Sequence, residues 1–200
     1  MLSISVQTNV DAVRKNLTDI AKKQLPFAVA KGLTATAKDV QGKLAQALTQ
    51  HIDRPTPFTL RAFAVTPATK SKPYASVFVR PDQWKYLTYQ FDGGDRRPTG
   101  RALVLPKSVK LNQFGNMQRR AIKQLLAKKN VFSGVVSGVP GIYLRKRSPA
   151  GNGLKLLIGY AQQARYRSRY PFKELAERSV AKAFDRNLQR AIDDALATAR

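Results

Sequence analysis

The chain has 200 residues and no cysteine, and its 36 lysine and arginine side chains outnumber 12 aspartates and glutamates, giving a formal net charge of +24. Without cysteine, disulfides, thiolate metal sites and a thiol nucleophile are excluded. No apolar run approaches the roughly 20 residues needed to span a bilayer. The first residues also lack the basic segment and long apolar stretch of a secretory signal, so we expect assembly in the cytoplasm and no membrane partner.

The positive charge is concentrated in the middle of the chain. Residues 61–170 hold 22 basic and 3 acidic side chains, whereas residues 1–60 hold 8 and 4, and residues 171–200 hold 6 and 5. A field of this size favours polyanions or acidic protein surfaces as partners. A generally basic, solvated surface is the plainer alternative.

The N-terminal part, residues 1–53, is predicted to hold one strand and two helices. Leu2, Ile4 and Val6 alternate with polar residues, which is typical of a half-buried strand. The first helix is predicted from Thr8 or Asn9 to about Gln24. Its apolar face consists of Val10, Val13, Leu17 and Ile20.

A second helix is predicted to begin at Pro26, because proline suits a first helical position. It should run to the Arg54-Pro55 stretch, with Gly32 and Gly42 either weakening it by roughly 1 kcal/mol each relative to alanine or marking close helix packing. Its apolar stripe is Val29, Leu33, Ala37, Val40, Leu44, Leu48 and Ile52.

The basic middle, residues 54–160, is predicted to be rich in strands with one longer helix. Tyr74 to Arg80 carries apolar groups on both faces, which favours a central strand. Asp82 to Phe91 fits a strand or a helix equally well. The other predicted elements are a short helix Phe58–Phe63, a strand Val65–Lys72, a turn and mobile loop Gly93–Gly100, a strand Ala102–Leu105, and a helix Met117–Lys129 capped by Asn116.

The C-terminal part of the chain combines a hairpin with a long helix. Gly141–Arg147 and Leu154–Tyr160 flank the turn residues 148–153, a pattern typical of a β-hairpin with a basic first strand. After a basic connector, Pro171 opens a helix over 171–199. Its apolar stripe is Phe172, Leu175, Ala176, Val180, Phe184, Leu188, Ile192 and Leu196.

Together these elements predict an α+β fold in a single domain, residues 1–200. Long amphipathic helices at the N- and C-termini would pack on a central, mainly antiparallel β-sheet that carries the basic β-hairpin.

The order of segments in the second half resembles the minor tail protein Z (tail completion) family of long-tailed bacteriophages and, more loosely, phage tail-component and head–tail joining proteins. The resemblance is best over 140–192, where VPGIYLRKR, a turn, LKLLIGY, a connector with RYPF and AFDRNLQRAI follow one another. It continues at Pro26–Ala30, before an alanine-rich amphipathic run, and the layout of 63–130 is similar. The resemblance implies a virion component and no catalytic residue.

The strongest functional signal is a set of cations on and beside the hairpin. Arg145 and Arg147 share one face of a strand, and Arg165, Arg167 and Arg169 share one face of an extended connector that also holds Tyr166 and Tyr170. Such rows can follow a phosphate backbone, or bind an acidic protein. The predicted contact residues are Arg145, Lys146, Arg147, Arg165, Arg167, Arg169, Arg119, Arg120, Lys123, Arg96 and Arg97.

Catalysis has weaker signals. His51 is the only histidine and lies near a predicted helix end, where a polar or cationic residue is common. Asp92 and Asp95 could bind a metal with a third acid, as a nuclease requires, but offsetting Arg96 and Arg97 is the simpler role. We therefore expect no enzyme, no cofactor, no metal site and no small-molecule substrate.

The resemblance and the charge distribution lead to one functional expectation. The chain would be a structural virion protein of a tailed phage, located in the tail or neck and assembled in the host cytoplasm. It would complete the tail or join head to tail as a homo-oligomeric ring around double-stranded DNA, next to a tail terminator, connector or tube protein. A sequence-independent nucleic-acid-binding protein is the alternative.

Overall fold

The fold is α+β, as predicted, in a computed structural model that describes residues 3–7, 19–148 and 151–198. The described residues form five helices and nine strands. In chain order these are β1 (Ser3–Gln7), α1 (Asp19–His51), α2 (Pro57–Leu60), β2 (Phe63–Thr66), β3 (Tyr74–Val79), α3 (Pro81–Phe91), β4 (Gly94–Arg96), β5 (Leu103–Pro106), α4 (Ala121–Leu126), β6 (Val131–Val136), β7 (Val139–Ser148), β8 (Gly151–Ala161), β9 (Ala164–Tyr166) and α5 (Phe172–Ala197).

The chain forms two compact units. Residues 1–91 and 169–200 make the first, called the helical unit here, and residues 92–168 make the second, called the basic unit. The predicted basic middle, 54–160, is therefore shared between them, because residues 54–91 belong to the helical unit.

The helical unit packs its two long helices and a three-stranded antiparallel sheet around one core. The strand order is β1-β3-β2, so Tyr74–Val79 is the central strand, as predicted. Val77 and Val79 of this strand and Leu33, Val40 and Leu44 of α1 are each no more than 2% exposed. The predicted apolar stripe of α1 is thus the face that the helix buries.

Helix α1 is continuous through Pro26, so the predicted break between Gln24 and Pro26 is wrong. A proline inside a helix removes one hydrogen bond and crowds the preceding turn. Here Leu25 and Val29, on either side of that proline, both pack on the same core, which favours keeping the helix intact. The predicted residues 8–18 of the first helix lie outside the described residues.

The contact between α1 and α5 is close at Gly32. A Cβ atom on this glycine would lie 2.9 Å from the Cα atom of Leu188, so the expectation of close helix packing is confirmed there. The same expectation is wrong for Gly42, where a Cβ would meet nothing within 4 Å.

Small residues dominate the buried face of α5. Ala183, Ala191 and Ala195 are each at most 6% exposed, whereas Leu196 is 55% exposed. Phe172 and Ala176 are buried as predicted, but most large residues of the predicted stripe are only partly buried. The reason is the short distance between the helices, since only small side chains fit along the line of closest contact.

Other predicted elements of the helical unit need correction. Residues 82–91, which fitted a strand or a helix, are helical and bury Gln83, Leu87 and Phe91. The helix predicted for 58–63 spans only Pro57–Leu60, capped by the Thr56 side chain. The strand predicted for 65–72 corresponds to β2, which ends at Thr66. It does not continue to residue 72, because residues 69 and 72 exchange backbone hydrogen bonds in a turn.

The basic unit contains two antiparallel sheets. One has four strands in the order β5-β8-β7-β6, and the other pairs β4 with β9. Strands β7 and β8 pair from Gly141↔Gly159 to Ser148↔Gly151, with an irregularity between Ile142 and Tyr143. The intervening residues 149 and 150 lie outside the described part of the chain.

Two predictions for the basic unit are wrong in extent. The helix expected over 117–129 is reduced to Ala121–Leu126, and Asn116 does not cap it, because the residue at the N-cap position is Arg120. The mobile loop expected over 93–100 includes strand β4, which pairs with β9. The second error arises because the long-range pairing of β4 with β9 overrides the local turn residues.

Candidate nucleic-acid interface

The basic unit has far more cations than its own acids can offset. Residues 92–168 contain 16 lysines and arginines but only two acids, Asp92 and Asp95. Self-repulsion of this kind opposes compaction and is relieved when an anionic partner binds.

Three predicted contact residues lie together near the end of the β7–β8 pair. Arg145, Lys146 and Arg147 are exposed and, with Gly153 and Leu154, line a shallow pocket of about 260 Å³. Because side chains alternate along a strand, Arg145 and Arg147 leave the same face of β7. This spacing lets two guanidinium groups meet successive groups of one extended anion.

Arg145 is held in place by an aromatic pair that was not predicted from the sequence. Its guanidinium carbon lies 4.4 Å from the centre of the Phe132 ring. Phe132 in turn stacks on Tyr143, its partner across β6 and β7, with ring centres 5.9 Å apart. A guanidinium packed against an aromatic face keeps its N–H groups available to a phosphate and loses less freedom on binding.

The β4–β9 pair carries a second group of predicted residues. Arg165 lies directly opposite Asp95, so this acid neighbours a cation across the strands. Arg96 is half-buried, while Arg97 and Arg167 are exposed. The described residues hold no group of three acids or histidines suited to a metal ion.

The remaining predicted cations lie elsewhere. Arg119, Arg120 and Lys123 are exposed at the start of α4. Arg169 belongs to the helical unit, where its backbone N–H donates to the carbonyl of Gln90. Ten of the eleven predicted residues therefore lie in one unit, and the eleventh is not part of it.

Tyr170 was predicted to accompany the cations, and this is wrong because it is fully buried. Its hydroxyl donates to the carbonyl of Leu44 at 2.6 Å, and its ring packs against Phe63 and Phe91. Burial raises the pKa of this hydroxyl well above its ordinary value. His51 meets the same ring edge-on, with centres 5.6 Å apart, so its visible contact is with the core.

No protein-family model, curated protein or solved structure matches the chain. Within the described parts, no helix combines the length and apolar character that crossing a bilayer requires.

Proposed function

We propose that the chain is a non-enzymatic structural protein of a tailed-phage virion, acting in tail completion or head–tail connection. Identical subunits would form a ring around the DNA path in the tail or neck. Two observations support this proposal: the sequence resemblance over 140–192, and the excess of exposed cations in the basic unit.

The single observation on which the DNA contact depends is the charge of residues 92–168, with 16 basic and two acidic side chains. Phosphates are the anions that such a surface meets at high density along a duplex. Contacts of this kind position DNA without reading its sequence. The ring would therefore hold any genome segment passing through it, and would use no cofactor or small-molecule substrate.

The nearly neutral helical ends would supply contacts between subunits and with the next ring, built from a tail terminator, connector or tube protein. Repeated identical contacts that close on themselves give a ring. The helical unit suits this role because its cations are better balanced, with ion pairs such as Arg186 to Asp39 at 3.0 Å.

Particles made without this protein test the proposal. We expect negative-stain images to show heads and tails that are separate, or particles that have lost DNA, with infectivity restored when the wild-type chain is supplied. Normal, DNA-filled, infectious particles in its absence would overturn the proposal.

A free, sequence-independent nucleic-acid-binding protein is the second candidate, favoured by Arg145 fixed over Phe132. It predicts that the isolated chain binds duplexes of unrelated sequence equally well, with affinity falling steeply as salt rises. Replacing Arg145, Lys146 and Arg147 by glutamine should lower the salt slope by about 0.9 for each phosphate that the variant no longer neutralises.

The matched control for that variant changes three exposed cations of the helical unit, Lys38, Lys72 and Arg80, to glutamine. This control changes the net charge by the same amount as the Arg145, Lys146 and Arg147 variant, but it should leave the salt slope of duplex affinity nearly unchanged. Equal slopes for both variants would show that only overall charge matters. No duplex binding at about 50 mM salt would remove the free-binder candidate.

A further inference from the structure

The basic unit contains an apolar pocket that the DNA proposal does not use. It has a volume of about 660 Å³ and lies between α4, residues 108–112 and the four-stranded sheet. Its apolar lining comes from Val109, Leu111, Leu125, Leu144 and Leu157, among others. Leu111 remains 37% exposed, so the chain itself leaves apolar surface at this site uncovered.

The walls of the pocket are held by hydrogen bonds. Backbone N–H groups of Lys107 and Ser108 both donate to the carbonyl of Leu157, at 2.9 and 3.0 Å. The Asn112 side chain accepts from the N–H groups of Phe114 and Asn116, at 3.0 and 2.9 Å. The pocket is therefore shaped before any ligand arrives, which lowers the cost of binding.

Two exposed lysines, Lys110 and Lys128, are among the lining residues, and none of the lining residues that the structure describes is acidic. The two acids of the basic unit, Asp92 and Asp95, are not part of the pocket. The pocket thus combines an apolar floor with two exposed cations. Its complement is a segment that presents an apolar side chain beside a carboxylate.

The C-terminal end of α5 presents that combination. Leu196 is 55% exposed, and Asp193 lies three residues before it, on the same side of the helix. The Asp193 carboxylate accepts from the neutral Gln189 side chain at 2.8 Å, so its charge is not cancelled there. The helix terminus adds partial negative charge from its last carbonyls.

We propose that the end of α5 in one copy of this chain binds the pocket of the basic unit in the next copy. Leu196 would enter the apolar pocket, and Asp193 would approach Lys110 and Lys128. A contact between two different surfaces of identical chains repeats from copy to copy, and it gives a ring when the rotation between successive copies closes. This inference rests on the proposed ring and names the surfaces that build it.

Substitutions that reverse the charge on either side test the contact between α5 and the pocket. Self-association of each variant is measured by sedimentation velocity. Changing Lys110 and Lys128 together to glutamate, or Asp193 to lysine, should weaken self-association by about tenfold or more. Combining the three changes in one chain should restore much of the loss. Leu196→Ser should weaken assembly without any change in charge.

The control is Arg101→Glu with Lys155→Glu, exposed cations of the basic unit that lie outside the pocket and outside the predicted contact set. General repulsion between copies predicts that both paired variants strengthen assembly, because both lower the positive charge. The pocket contact predicts opposite effects: weaker assembly for the Lys110 and Lys128 variant, and unchanged or stronger assembly for the control variant. Circular dichroism of every variant must match the wild type.

If the wild-type chain assembles and the lysine pair does not weaken it, the α5 contact is wrong while a ring remains. If the lysine-pair variant assembles normally but loses binding to another tail or neck protein, the pocket belongs to that partner and the inference is overturned. A wild-type chain that stays monomeric overturns it as well, and the particle experiment then decides the proposed function separately.

Discussion

Replacing Gly32 by alanine should destabilise the helical unit, although alanine is the better helix former. The new Cβ would lie 2.9 Å from the Cα atom of Leu188 and 3.3 Å from the carbonyl oxygen of Asn187. Both are backbone atoms, so α5 itself would have to move. Overpacking of this kind costs about 1–3 kcal/mol, against a helix-propensity gain of about 1 kcal/mol. We expect a net loss of up to about 2 kcal/mol.

Gly42→Ala is the matched control, because it lies in the same helix and its Cβ would meet nothing within 4 Å. It should stabilise the unit by about 1 kcal/mol. The propensity gain is common to both variants, so the difference between their free energies of unfolding isolates the packing cost, about 1–3 kcal/mol. Urea unfolding followed by helical circular dichroism gives both values. Equal stabilisation by the two alanines would refute the close contact between α1 and α5.

Three further expectations concern single side chains. Tyr170→Phe removes the buried hydrogen bond to the Leu44 carbonyl and should cost about 1–2 kcal/mol in urea unfolding. Burial raises the pKa of Tyr170 in the folded chain, whereas the unfolded chain ionises near the ordinary value of 10.0. Stability should therefore be unaffected by this group below that pH and fall as the pH rises above it, and Tyr170→Phe should show a smaller fall. Thr56→Ala removes the cap of α2 and should cost about 1 kcal/mol, measured by thermal unfolding. Phe132→Leu keeps the net charge but removes the aromatic contact of Arg145. Duplex affinity should therefore drop by about two- to fivefold, with an unchanged salt slope. An affinity equal to that of the wild type would mean that the aromatic contact does not position the arginine.

The sequence predicted the elements whose periodicity matches their burial. The stripe from Val29 to Leu48 is the buried face of α1, and Tyr74–Val79 is the central strand of its sheet. Hydrophobic spacing sufficed for α1 because one face of the helix meets one core. The central strand was predicted from apolar groups on both of its faces. The paired segments of β7 and β8 also follow the predicted order, although both strands extend closer to the turn than expected.

Features set by contacts distant in sequence were not predictable in this way. The buried face of α5 depends on how closely α1 approaches at Gly32, and the sequence of α5 alone does not reveal that distance. Strand β4 depends on β9, a partner far along the chain. At the candidate site, the composition of the sequence predicted the cations. It did not predict the role of Phe132, because the contact of Phe132 with Arg145 depends on the register of β6 against β7.

The basic unit combines a small core with a large positive charge, and this combination itself bears on function. Its buried apolar cluster consists of Val131, Ile142, Leu157 and Ile158, with other side chains packed partly against it. A cluster of this size supplies limited stabilisation, while repulsion among 16 cations opposes compaction. Binding an anionic partner relieves the repulsion and stabilises the folded state by mass action. The charge that is unfavourable in the isolated unit is therefore favourable in a complex, which is the state that the proposed ring around DNA would provide.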